Sequence, residues 1–135
     1  MASKRNFSAK REAIYNTLAS TTSHPTADWI YDQLKQQMPD LSLGTVYRNL
    51  NIFKEMGIIK SIGVINGQER FDANVSQHSH FICSKCFKII DIPSRKRFID
   101  SSIYEYVEFE CRAKISSHSI TFYGICSECG NSENY

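Results

Sequence analysis

The chain lacks any apolar run near the ~20 residues that a membrane-spanning helix needs. Its opening, Met-Ala-Ser-Lys-Arg-Asn, lacks the apolar core of a secretory signal. It also lacks a strong charge of either sign. The 16 Lys and Arg against 14 Asp and Glu leave +2, too little to announce a nucleic-acid partner. The His-Glu-x-x-His helix of zinc hydrolases is absent. These absences point away from a membrane, secreted or zinc-hydrolase protein. What they favour is a cytoplasmic protein of ordinary globular composition, 41% hydrophobic and 22% charged. In a reducing cytosol its five cysteines hold metal more readily than they form disulfides.

What the chain does carry is two Cys-x-x-Cys pairs, Cys83/Cys86 and Cys126/Cys129, with His78 and His80 just ahead of the first. Each pair on a tight turn offers two thiolates to one side of a cation. Four sulfurs suit a closed, tetrahedral zinc site whose role is structural. It would close residues 87 to 125 into a loop. The rival is a thioredoxin-type redox pair, which calls for one such motif at a helix N-terminus in a β-α-β setting. Cys111 is left over and reads as a small buried apolar residue.

Periodicity divides the chain. From about Ser8 to Leu18, Ala9, Ala13, Ile14 and Leu18 recur at helical steps. Thr26 follows Pro25 as N-cap of a second helix, with Ile30, Tyr31, Leu34 and Met38 along its apolar stripe. Ser42 caps a third helix that buries Leu43, Val46, Leu50, Phe53 and Met56 and stops at Gly57. Two segments, Ile58-Ile-Lys-Ser-Ile-Gly-Val-Ile65 and Glu69-Arg-Phe71, then flank Asn66-Gly67, the strongest short hairpin signal.

Three helices and a hairpin in this order describe a winged helix-turn-helix over residues 1–71. Its third helix would enter the major groove of double-stranded DNA. Ser42, Thr45, Tyr47, Arg48 and Asn51 lie opposite the apolar stripe. Arg48 suits guanine, Asn51 suits adenine, and Thr45 and Tyr47 suit phosphate or a thymine methyl. A solvated polar face is the alternative for a lone helix, and the complete element order argues against it. The charge distribution agrees weakly, with +3 over residues 1–60 and −1 beyond.

Residues 72–80 are polar and read as a hinge, and residues 81–135 as a second, small α+β domain. Strands are expected at 80–83 and 87–92, and a helix from Pro93 to Tyr106 with Phe98, Ile99, Ile103 and Tyr106 on its stripe. Two more strands are expected from about Phe109 to Ile125. The fold class is α+β throughout. At about 60 residues a core alone is marginal, and a structural metal is a common remedy.

Other possible ligands are scattered. The spacing of His78 and His80 does not by itself demand a metal. Asp91 interrupts the apolar run Lys-Ile-Ile-Asp-Ile, where a buried charge needs a cation. Asp72 lies at the start of the hinge. His24, before Pro25, reads from spacing as a residue that caps or packs against the following helix.

With these motifs in view, the chain resembles the ferric uptake regulator superfamily of metal-responsive bacterial repressors. The resemblance rests on His24-Pro-Thr-Ala-Asp28-Trp-Ile-Tyr31, Ser42-Leu-Gly-Thr45-Val-Tyr47-Arg48-Asn-Leu50, Arg70-Phe-Asp72, the His78 to Cys86 segment and Tyr123-Gly-Ile-Cys126-Ser-Glu-Cys129. It is nearest the peroxide-sensing branch. The resemblance implies a homodimer on a palindromic operator, a second domain that dimerises, and no enzymatic activity. It implies a regulatory site for Fe(II) or Mn(II) at His24, Asp72, His78, His80 and Asp91, a donor set that favours those metals. It also implies that peroxide oxidises His24 and His78 when iron is bound. Other relatives hold a further metal beside the His-x-His pair. Here Gln77 and Ser79 flank that pair and only His118 remains, so that site is expected to be absent or impaired. Arg48 stands where iron-uptake regulators commonly have arginine, which leaves an iron-responsive regulator of iron acquisition as the alternative.

Overall fold

The computed structural model describes residues 2–93 and 99–131. The chain falls into two units, Met1–Ser76 and Gln77–Tyr135.

Capping chemistry sets the helices of the first unit. After α1 (Ala2–Ala19), Thr26 takes an extended conformation and accepts the Trp29 N–H at 3.0 Å, which starts α2 (Ala27–Leu34). Ser42 does the same for the Thr45 N–H at 3.1 Å and starts α3 (Leu43–Met56). Gly57, at φ 75°, ends α3, and the Ile58 N–H reaches back to the Phe53 carbonyl at 3.1 Å. Antiparallel strands β1 (Lys60–Ile65) and β2 (Gln68–Asp72) follow. Asn66 and Gly67 join them with φ of 53° and 81°, the left-handed pair that a two-residue hairpin requires.

One core serves this unit. Ile14 and Leu18 meet Ile30 and Leu34, Val46, Leu50 and Phe53, with Phe71 of β2 and Ile59 closing it. The Tyr15 ring meets Phe53 edge-on at 5.8 Å. Each large apolar side chain so buried contributes about 1.5–3 kcal/mol before entropy is counted. The expected stripes hold with corrections. Ala9 and Met56 are exposed, because each lies a turn beyond the reach of the core. Helix α2 stops at Leu34, and Met38 packs on the core from the turn that follows. Asn49, a polar residue on the apolar stripe of α3, is fully buried.

The second unit is a three-stranded sheet in the order β4-β3-β5. Strand β3 (Ser79–Cys83) runs antiparallel to β4 (Ile89–Ile92) and parallel to β5 (Thr121–Gly124). Helix α4 (Ser101–Cys111) lies between β4 and β5 in sequence, and a short α5 (Ser127–Asn131) closes the described chain. Three expectations change here. The helix starts at its Asp100 cap, which accepts the Ser102 and Ile103 N–H groups, rather than at Pro93; Phe98 lies outside the described residues. Phe109 belongs to α4 and not to a strand, and only Thr121–Gly124 of the 109–125 stretch pairs into the sheet. Cys111 is exposed at the end of α4, because that helix buries no side chain within the described chain. The polar hinge is also shorter, since Asp72 closes β2 and Ser79 opens β3.

Candidate metal centres and nucleic-acid interface

The four cysteines converge because β3 and β5 run side by side and both end in a cysteine turn. Cys83 is the last residue of β3, and the Ser84 N–H donates to the Gly124 carbonyl at 2.7 Å, clamping the two strand ends. The turn after Cys83 closes by a 2.9 Å bond from the Phe87 N–H to the Cys83 carbonyl, with Phe87 at φ 63°. One sulfur from each cysteine then lies within 4.8 Å of every other, and Cys86 Sγ is 3.7 Å from Cys126 Sγ. Sulfurs placed about 2.3 Å from a tetrahedral zinc stand about 3.8 Å apart. The cluster fits that ion.

Its electrostatics lead to the same ion. The Cys86 and Cys126 N–H groups point at Cys83 Sγ, at 3.5 and 3.3 Å, and pull its pKa down to about 6. Cys129, beside Cys126 and removed from water, is pushed up to about 12. Four thiolates at this spacing repel one another, so a divalent cation is what lets them all ionise.

The histidines and aspartates form one set in each unit. In the first, His24 is 2% exposed, and its Nε2 lies 3.2 Å from Asp72 Oδ2. In the second, His80 of β3 stands directly opposite Asp91 of β4 in the ladder. Both His80 Nε2 and His78 Nε2 lie 3.2 Å from Asp91 Oδ1, and the two rings stack edge-on at 4.5 Å. This pairing accounts for a carboxylate within an apolar strand. Donors about 2.1–2.2 Å from a cation and at right angles stand about 3 Å apart, so each set has the spacing of neighbouring ligands.

His118 belongs to neither set. The Gln77 side-chain amide donates to its Nε2 at 3.0 Å and to its carbonyl at 3.2 Å, while Nδ1 meets the Tyr104 hydroxyl at 2.5 Å.

On α3, Tyr47, Arg48 and Asn51 are exposed. The hydroxyls of Ser42 and Thr45 lie 2.9 Å apart within the N-cap, so part of their bonding capacity serves the helix itself. Four residues that sequence reasoning gave no role support this face. Buried Asn49 accepts from Arg11 Nε at 3.1 Å and donates to the Thr45 carbonyl at 2.9 Å, tying α1 to α3. Lys54 of α3 pairs with Glu69 of β2 at 2.9 Å. Asn49 could have been found, because it falls at helical spacing between Val46 and Phe53.

The model of the "Ferric uptake regulator family" matches residues 3–123. The chain belongs to the ferric uptake regulator family. It is 37% identical over 126 residues to the peroxide-responsive repressor PerR of Staphylococcus epidermidis, covering 93% of this chain and 81% of that one. Its fold is similar to the peroxide stress regulator of Campylobacter jejuni, with a TM-score of 0.76, 27% identity and coverage of 95% and 94%. It is also similar to the ferric uptake regulator of Helicobacter pylori, whose structure reveals three functional metal-binding sites; the TM-score is 0.74 at 25% identity, covering 90% and 79%. Ferric uptake regulator proteins are dimeric DNA-binding regulators and not enzymes. In keeping with that membership, the chain carries a four-cysteine cluster that fits a structural zinc and histidine–aspartate donors that fit a regulatory metal. Among the described residues no helix is long and apolar enough to cross a membrane.

Proposed function

We infer that this protein is a cytoplasmic, metal-dependent transcriptional repressor that senses peroxide. The observation that carries the reading is the donor chemistry of the two His/Asp sets, beside relatives that respond to peroxide. The first set offers two donors and the second three, and neither alone completes a coordination sphere for a divalent metal. Together His24, Asp72, His78, His80 and Asp91 make a nitrogen and oxygen site suited to Fe(II) or Mn(II), while Cys83, Cys86, Cys126 and Cys129 hold zinc.

Ligands drawn from both units make metal binding and the DNA-competent arrangement mutually reinforcing. Two copies would then present their α3 helices to the half-sites of a palindromic operator. In each copy Arg48 and Asn51 read bases, and Ser42, Thr45 and Tyr47 contact the backbone or a thymine methyl.

When bound, iron(II) supplies the one-electron chemistry that cleaves the O–O bond of hydrogen peroxide. His24 and His78 are the residues that the reaction consumes. A ring C–H bond breaks, one peroxide oxygen joins that carbon, and the second leaves as water. The histidine loses two electrons and the peroxide gains them. An oxygenated ring is a poorer ligand, so the site opens and the DNA is released. A protonated imidazole resting on a carboxylate has the same geometry as each pair, and metal titration separates the two cases.

The test is to load the protein with Fe(II) without oxygen, add peroxide and examine the His24 and His78 peptides by mass spectrometry. Gain of one oxygen atom on either, together with loss of DNA binding, is the expected result. No gain on both, with DNA binding retained under iron and lost on its removal, would make the protein an iron-responsive regulator instead.

A further inference from the structure

His24 sits in an uncommon backbone conformation. Its φ is 56°, in the left-handed region that side chains beyond Cβ rarely enter, and it precedes Pro25, whose ring favours extended backbone at that position. Such a residue persists only where its surroundings over-determine it. The surroundings here come from one strand. Arg70 of β2 donates from Nε to the His24 carbonyl and from its terminal nitrogen to the Ser23 carbonyl, the latter at 2.9 Å. The Phe71 N–H donates to the Pro25 carbonyl at 3.1 Å. Asp72 then meets the His24 ring. Arg70 and Asp72 are two residues apart on a strand and so face the same side. One therefore grips the backbone of His24 and the other its imidazole.

We propose that Arg70 is a positioning residue of the regulatory metal site, holding the strained 23–25 loop so that His24 Nε2 stays beside Asp72. The inference rests on the reading of His24 and Asp72 as metal ligands. Arginine suits the task because its planar fork reaches two consecutive carbonyls at once, which a single ammonium cannot reproduce. The arrangement also links the wing strand, which belongs to the DNA-binding fold, to the ligand that senses metal. Without the grip the loop can relax toward extended backbone, and His24 turns away from Asp72. His78, which lies just before β3 and meets Asp91 of β4 in the other unit, does not depend on Arg70.

The test compares the wild type with R70Q and R70K, each carrying its zinc. Binding of Mn(II) is followed by the EPR signal of the free ion, and thermal unfolding is recorded without Mn(II). Loss of partners that orient a ligand commonly costs 10- to 100-fold in metal affinity, so R70Q is expected to bind Mn(II) about tenfold more weakly and R70K to lie between. In the Fe(II) forms treated with peroxide, oxygen incorporation should shift from His24 toward His78 in R70Q. General destabilisation would lower both and leave their ratio unchanged. Equal Mn(II) affinity and an equal His24 to His78 ratio in R70Q and wild type overturn the proposal. So does a loss of affinity that tracks thermal stability with the ratio unchanged. A wild type that binds no Mn(II) overturns the ligand reading itself, and the role of Arg70 with it.

Discussion

The two units are built on different physical grounds. The first buries Ile14, Leu18, Ile30, Leu34, Val46, Leu50, Phe53 and Phe71 in one continuous core. In the second, the buried apolar side chains among the described residues are Ile82, Ile89, Cys83 and Cys126, and two of these four belong to the cysteine cluster. Its larger apolar groups face outward, with Tyr106 66%, Phe109 81% and Tyr123 71% exposed. Apolar burial thus holds the first unit, while on the proposed reading a cation and a second copy of the chain supply what the other unit lacks. The lesson is that a small domain can leave its stability to ligand and partner, and so make both part of its regulation.

The largest effect expected from this contrast is at the sulfurs. Cys126→Ser should abolish zinc retention and the cooperative unfolding of residues 77–135, since zinc at such sites contributes on the order of 10 kcal/mol. Calorimetry should show the transition of the first unit little changed. Phe53→Ala makes the opposite break. It should cost the first unit about 3–5 kcal/mol in urea unfolding and leave zinc content unchanged. Phe109→Glu places a charge on the exposed face of α4. It should weaken self-association by about 2 kcal/mol or more in sedimentation equilibrium, with both units still folded. Thr26→Ala removes one helix cap and should lower the first unit's stability by about 1 kcal/mol. If Phe109→Glu unfolded the first unit, or Phe53→Ala released zinc, the division of labour would fail.

Much of the first unit could be read in advance because its instructions are local. Thr26, Ser42, Gly57 and Asn66-Gly67 each act within one turn of chain, and each does so in the structure. The second unit was harder. Phe109, Cys111, Ala113 and Ile115 alternate like a strand, yet the first two continue a helix, and alternation over so few residues cannot separate the two. Large apolar residues there, Phe109 among them, are also exposed in the single chain, so the usual link between apolar and buried breaks down. Of the candidate sites, the cysteine cluster was written in its spacing. The His24–Asp72 pair was not, because a loop and a distant strand bring it together, and the grip of Arg70 appears only once their geometry is known.

The most direct test of the peroxide switch is DNA retention. A duplex selected from a random pool by the Mn(II)-loaded protein is bound to the Fe(II) and Mn(II) forms in turn, and each is treated with hydrogen peroxide. The account predicts release from the Fe(II) form and continued binding by the Mn(II) form. Retention of DNA by the peroxide-treated Fe(II) form, or equal release from both, would contradict it.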